Sequence, residues 1–167
     1  MQCYFERFPK KAQSELRSLT VLPGSDIPLP PGTYAFLEFY CTDRSCDCCR
    51  VIVKVLHDTG GQPAEVATIS YSWADSDEIW ARLNSEMPNP FLDPLNPQTA
   101  LSEFLLEFWA DMVSHDTEYA SRLQRHYHEM RGKHDREKER VLTVPMSSAK
   151  RQALRDRHRK RAKRRPR

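Results

Sequence analysis

The chain has 167 residues, 39% hydrophobic and 29% charged, which suffices for one compact domain with extensions and excludes two full domains. No apolar run approaches the roughly 20 residues of a membrane span, and Met1 to Lys10 lacks the basic, apolar, small-residue order of a signal peptide, so no membrane contact and a cytoplasmic location are expected. The formal net charge of +3 hides a sorting of charge along the chain: residues 1–130 carry 10 Lys and Arg against 19 Asp and Glu, and residues 131–167 carry 16 against 4.

Phe5, Phe8, Ala12, Leu16 and Leu19 recur at helical spacing behind Pro9, which predicts a short amphipathic N-terminal helix. Two Pro- and Gly-rich stretches, Pro23 to Asp26 and Pro28 to Gly32, then read as a rigid connection. Tyr34 to Cys41 and Val51 to His57 are rich in aromatic and β-branched residues, and Val66 to Trp73 alternates after the Asp58-Thr-Gly60-Gly61 turn. These three strands form an antiparallel meander. Placing Glu38 opposite Lys54 sets the register, and puts Ala35, Leu37, Phe39, Val51, Val53 and Val55 on the face that needs a cover.

Asp75-Ser-Asp-Glu78 resembles a capping box before a short helix with Ile79, Trp80 and Leu83. Prolines 88, 90, 94 and 97 punctuate an extended strap packed by Phe91, Leu92 and Leu95. Asn96 followed by Pro97 predicts the start of one long helix reaching Arg131, with the stripe Leu101, Leu105, Phe108, Met112, His115, Tyr119, Arg122 and His126. Its first half is expected to cover the sheet, and its second half, beyond Tyr119, to project into solvent. The expected architecture is α+β: a small three-stranded meander with a Cys-rich hairpin tip, packed against a long C-terminal helix and a short N-terminal helix. It occupies residues 1–132, and residues 133–167 form a basic, largely disordered tail.

Four of the five cysteines, Cys41, Cys46, Cys48 and Cys49, lie within nine residues at the tip of the first hairpin. In a reducing compartment such spacing points to a metal, with Zn²⁺ the expected ion, or to redox chemistry before a disulfide framework. Adjacent Cys48 and Cys49 project differently along extended chain, so Cys41, Cys46 and either Cys48 or Cys49, with a donor from elsewhere, form the expected set. His115, on the helix stripe, is the leading fourth ligand; Asp43, Asp47, His126 and the remaining cysteine are the others. His57 sits at the far end of the hairpin, about 20 Å from the tip, and His126 and His128 read as solvated surface.

Nucleotide-binding glycine loops, His-Glu-x-x-His and Gly-x-Ser-x-Gly are all missing, so no nucleotide cofactor and no complete catalytic motif are expected. The tail places Lys150, Arg151, Arg155, Arg157, Arg159, Lys160, Arg161, Lys163, Arg164, Arg165 and Arg167 among twenty residues. That density suits salt-sensitive, sequence-independent contact with RNA, DNA or a ribonucleoprotein. Without interleaved aromatics it has no platform for stacking bases. Two functions follow: a non-enzymatic zinc-binding module tethered by its tail to nucleic acid, or a thiol-redox or metal-dependent enzyme acting at the Cys41 to Cys49 loop.

Overall fold

A computed structural model describes residues 1–43, 45, 46, 48–73 and 88–132, all within the compact unit Met1–Gly132. The helix expected around residues 75–83 and the tail from 133 lie outside the described residues. The fold is an antiparallel sheet with helices, and among the described residues the sheet has six strands where three were expected. In chain order these are β1 (Gln2–Cys3), α1 (Tyr4–Arg7), α2 (Pro9–Glu15), β2 (Arg17–Val21), β3 (Gly32–Tyr40), β4 (Arg50–Asp58), β5 (Ala64–Ser72), β6 (Phe91–Leu92), α3 (Ser102–His115) and α4 (Thr117–Met130).

The meander of β3, β4 and β5 forms the centre, and both edges are built from short pieces. β1 pairs with β3 at Tyr40 and Phe39, and β2 pairs with β3 from Phe36 to Gly32. One edge strand is thus interrupted by a helical excursion. Pro9 opens α2 as expected, but Leu16 and Leu19 belong to the linker and strand that follow, because pairing with β3 captures the chain after Glu15. On the opposite edge, two side-chain amides act as strand substitutes. Gln98 exchanges hydrogen bonds with the Thr68 N–H (3.1 Å) and carbonyl (3.0 Å), and Asn89 does the same at Ser72 (3.0 and 2.6 Å). With β6 between them, they satisfy backbone groups that an open edge would leave unpaired. Leu95 of this strap is 92% exposed and does not pack as expected.

The register differs by one residue from the charge-based expectation. Glu38 faces Val53, and Leu37 faces Lys54. Lys54 instead reaches across to Glu65 on β5 (2.8 Å). A slip of one residue turns the other side of a strand inward, so β3 buries Tyr34, Phe36, Glu38 and Tyr40, while β4 buries Val51, Val53 and Val55 as expected.

The expected single helix is two. Asp116 leaves helical geometry (φ −100°, ψ 86°), and its carboxylate accepts the Tyr119 N–H at 2.8 Å, capping α4. The start is also later than Asn96: Thr99 and Ser102 hydrogen-bond each other, and both hydroxyls donate to the Val66 carbonyl, anchoring α3 to β5. Redirection at Asp116 lays α4 back on the core. Tyr119, Arg122, Leu123, His126, Tyr127 and Met130 are buried, contrary to a projecting second half. Leu105, Trp109 and Val113 of α3 complete the cover, and the Trp109 indole N–H donates to the Tyr119 hydroxyl (3.1 Å) across the break.

Candidate metal centre

The connection from β3 to β4 carries the four clustered cysteines. Its first turn is local chemistry: the Asp43 carboxylate accepts from the Ser45 N–H (2.8 Å) and hydroxyl (2.7 Å), and the Cys46 N–H bonds to the Asp43 carbonyl (3.3 Å). This turn folds the chain back so that the sulfurs of Cys41, Cys46 and Cys48 all lie within 4.8 Å of one another. They form a group able to hold a metal ion. Tetrahedral zinc with Zn–S near 2.3 Å requires sulfur separations of about 3.8 Å, a contraction that loop side chains can make.

Cys46 is the centre of the group. Its sulfur accepts from the Cys48 backbone N–H and is hydrogen-bonded to the Cys48 and Cys41 thiols. The Cys48 sulfur in turn accepts from the Arg50 N–H. Burial pushes the Cys46 thiol up, but these bonds and the Arg131 charge outweigh it, so Cys46 lies below the ordinary thiol range. Burial pushes Cys48 up to about 12, reinforced by its bond to Cys46 and the charges of Cys46 and Cys41.

Cys49 is not part of the three-sulfur group. Its backbone is left-handed (φ 41°), and its carbonyl accepts the Trp73 N–H (3.0 Å) and the Ser72 hydroxyl (3.2 Å). The residue thereby serves the junction with β5, while its neighbour turns inward. His115 is not in the group either: its side chain is 78% exposed, with Nδ1 against Asp111 at 3.1 Å. The break at Asp116 follows immediately, and the turn that buries α4 leaves His115 outside. Asp43 spends its carboxylate on Ser45, and Asp47 lies outside the described residues. The described residues therefore supply three donors, all sulfur.

Two residues that the sequence reading did not select complete the surroundings. Tyr127 directs its hydroxyl to the Cys46 carbonyl (3.5 Å), and burial and the charges of Cys48 and Cys49 push its phenol up to about 12. Arg131, only 5% exposed, lays its guanidinium 4.8 Å from the Tyr127 ring centroid and hydrogen-bonds the Tyr127 hydroxyl. Tyr127 sits on the last turn of α4 and Arg131 caps it, in a segment expected to project into solvent.

A second polar cluster lies under the sheet. His126 holds Glu38 on Nδ1 and Glu15 on Nε2, each at 2.6 Å, and stacks on Tyr4 with centroids 3.7 Å apart. Tyr40 donates to Glu38 (2.7 Å), and Arg122 stands 3.8 Å from it. Both ring nitrogens are thus engaged by carboxylates, and the cluster reads as a buried clamp.

No family model, curated protein or solved structure matches this chain. Function rests on the geometry of these sites. Among the described residues, no helix is long and apolar enough to cross a membrane.

Proposed function

We propose that this protein is a non-enzymatic, zinc-stabilised α+β module whose basic C-terminal tail contacts nucleic acid or a ribonucleoprotein in a reducing, cytoplasmic setting. The observation that carries the metal reading is the convergence of the Cys41, Cys46 and Cys48 sulfurs within 4.8 Å. An all-sulfur donor set favours a thiophilic d¹⁰ cation over Mg²⁺ or Ca²⁺, which take oxygen. Zinc fits because it has no geometric demand beyond four-coordination and is held by thiolates in structural sites. Cys41 follows β3 and Cys48 precedes β4, so an ion here would clasp the connection between the two central strands. Support for the tail reading is the charge sorting alone, sixteen basic residues against four acids from residue 131 onward.

Elemental analysis of reduced, tag-free protein tests the metal. About one zinc per chain is expected, lost on Cys41→Ser, Cys46→Ser or Cys48→Ser together with thermal stability, and retained in Cys49→Ser and Cys3→Ser. Zinc content that survives Cys46→Ser sinks the reading. Thiol reactivity or turnover lost in these variants, with an unchanged melting curve, would favour the enzyme alternative at the same loop.

A further inference from the structure

We infer that Arg131 and Tyr127, at the end of α4, form the outer sphere of the metal centre, with Arg131 the positioning residue that compensates its charge. This inference rests on the metal reading above. Loading the site converts three thiols and a divalent cation into a tris-thiolate complex of charge −1 and releases three protons. The group itself passes from neutral to anionic, so a fixed cation beside it favours the loaded state. Arg131 supplies that cation: its guanidinium hydrogen-bonds the Tyr127 hydroxyl, which itself reaches the Cys46 carbonyl (3.5 Å).

Several contacts hold the guanidinium in place. The last turn of α4 closes with the Arg131 N–H on the Tyr127 carbonyl (3.3 Å) and the Gly132 N–H on the Glu129 carbonyl (3.1 Å). The Arg131 side chain folds over the Tyr127 ring and donates to its hydroxyl. Trp73 meets the same ring edge-on, with centroids 5.4 Å apart, and Trp73 is itself bonded to the Cys49 carbonyl. Tyr127 thus ties the cation to the loop through the Cys46 carbonyl. At 5% exposure the guanidinium is poorly screened, so its charge acts on the sulfurs more strongly than a surface lysine would.

The test is competition for Zn²⁺ between the full-length chain and a chromophoric chelator at several pH values, with metal-free melts recorded in parallel. Arg131→Gln is expected to weaken Zn²⁺ binding roughly 10-fold to 100-fold, the usual cost of losing an outer-sphere partner, and to move half-loading to higher pH. Arg131→Lys, which keeps the charge, should recover most of the affinity. A purely structural arginine would lower the metal-free melt without moving the pH of half-loading. Zinc affinity and half-loading pH unchanged in Arg131→Gln overturn the inference and leave the metal centre standing. Arg131→Lys as weak as Arg131→Gln also overturns it, since charge would not be the cause. A wild-type chain that takes up no Zn²⁺ removes the metal reading itself and this inference with it. Should Arg131→Gln not fold, Tyr127→Phe carries the test: it keeps the ring but removes the hydroxyl that ties the guanidinium to the Cys46 carbonyl, so weaker zinc binding supports the assignment and unchanged binding overturns it.

Discussion

Glu38 is 8% exposed and faces the helices from the middle of β3, where an isolated carboxylate would be costly. It persists because His126, Tyr40 and Arg122 surround it. Arg122 is held more by charge and by the Tyr119 ring, 4.7 Å from its guanidinium, than by hydrogen bonds, its Nε and Nη2 having no hydrogen-bond partner. Glu38→Gln should therefore destabilise the protein by about 3–5 kcal/mol, because it leaves the buried Arg122 guanidinium without its carboxylate. Urea unfolding measures this, and a loss within about 0.5 kcal/mol, typical of exposed positions, would mean that the cluster contributes nothing special. Little of this was readable at the residue scale. Glu38 and Lys54 suggest a cross-strand pair, but Glu65 offers Lys54 the same chemistry one strand further, and only the assembled sheet selects between them. The cysteines differ: their proximity in sequence already limits how far apart they can be in space.

At the scale of elements, the N-terminal segment is fastened to α4 mainly by ionic contacts. Tyr4 donates to Glu129 (2.6 Å), Lys11 pairs with Glu129 (2.5 Å), and Arg125 and His126 both hold Glu15. Burial pushes the Glu15 carboxyl up, but the hydrogen bond and charge of His126, with Arg125 and Lys11, hold it below its ordinary value of 4.5. Glu129 is likewise lowered against the effect of burial, by Lys11 and Tyr4 first. Carboxyls depressed in the folded state stabilise it above the unfolded value, and that contribution is lost as pH falls through the folded value. Acidification below 4.5 should thus release α1 and α2 before the central strands open. Hydrogen-exchange protection, corrected for intrinsic rates, should fall first in residues 4–15; simultaneous loss in β4 would refute this. The same scale explains the divided helix. Hydrophobic spacing continues nearly unbroken from Leu101 to His126, but Asp116 caps a new helix and accepts a bond from Arg17 of β2. Periodicity records that both halves have an apolar face, and not that the second half turns back.

For the whole molecule, the division of charge is the dominant property. A body carrying nine more acids than bases over residues 1–130 repels phosphate, so nucleic-acid affinity should reside in the tail. Deleting residues 148–167 removes eleven bases and one acid. The truncated chain should lose RNA and DNA binding, and the affinity of the intact chain should fall steeply with salt, as counterion release requires. Equal affinity with and without these residues, at low and moderate salt alike, ends the nucleic-acid reading. A cysteine variant tests the metal reading and a truncation tests the tail reading, so the two proposals can fail separately.

The sequence by itself determined the mixed α+β class, the three central strands, the thiol loop between the first two and the sorting of charge, because each is a local or compositional property. Alternation, β-branching, turn residues and cysteine spacing act over a few positions and need no partner. Tertiary structure alone decided which face of β3 is buried, since Ala35, Leu37 and Phe39 are nearly as apolar as Tyr34, Phe36 and Tyr40, and β3 takes its side from the helices that cover it. It also decided that Glu38, 88 residues from His126, meets it under the sheet, that His115 stays in solvent, and that Tyr127, with Arg131 on its ring, reaches the cysteine loop. Each of these depends on where α4 comes to rest after Asp116, a direction set by packing across the whole sheet.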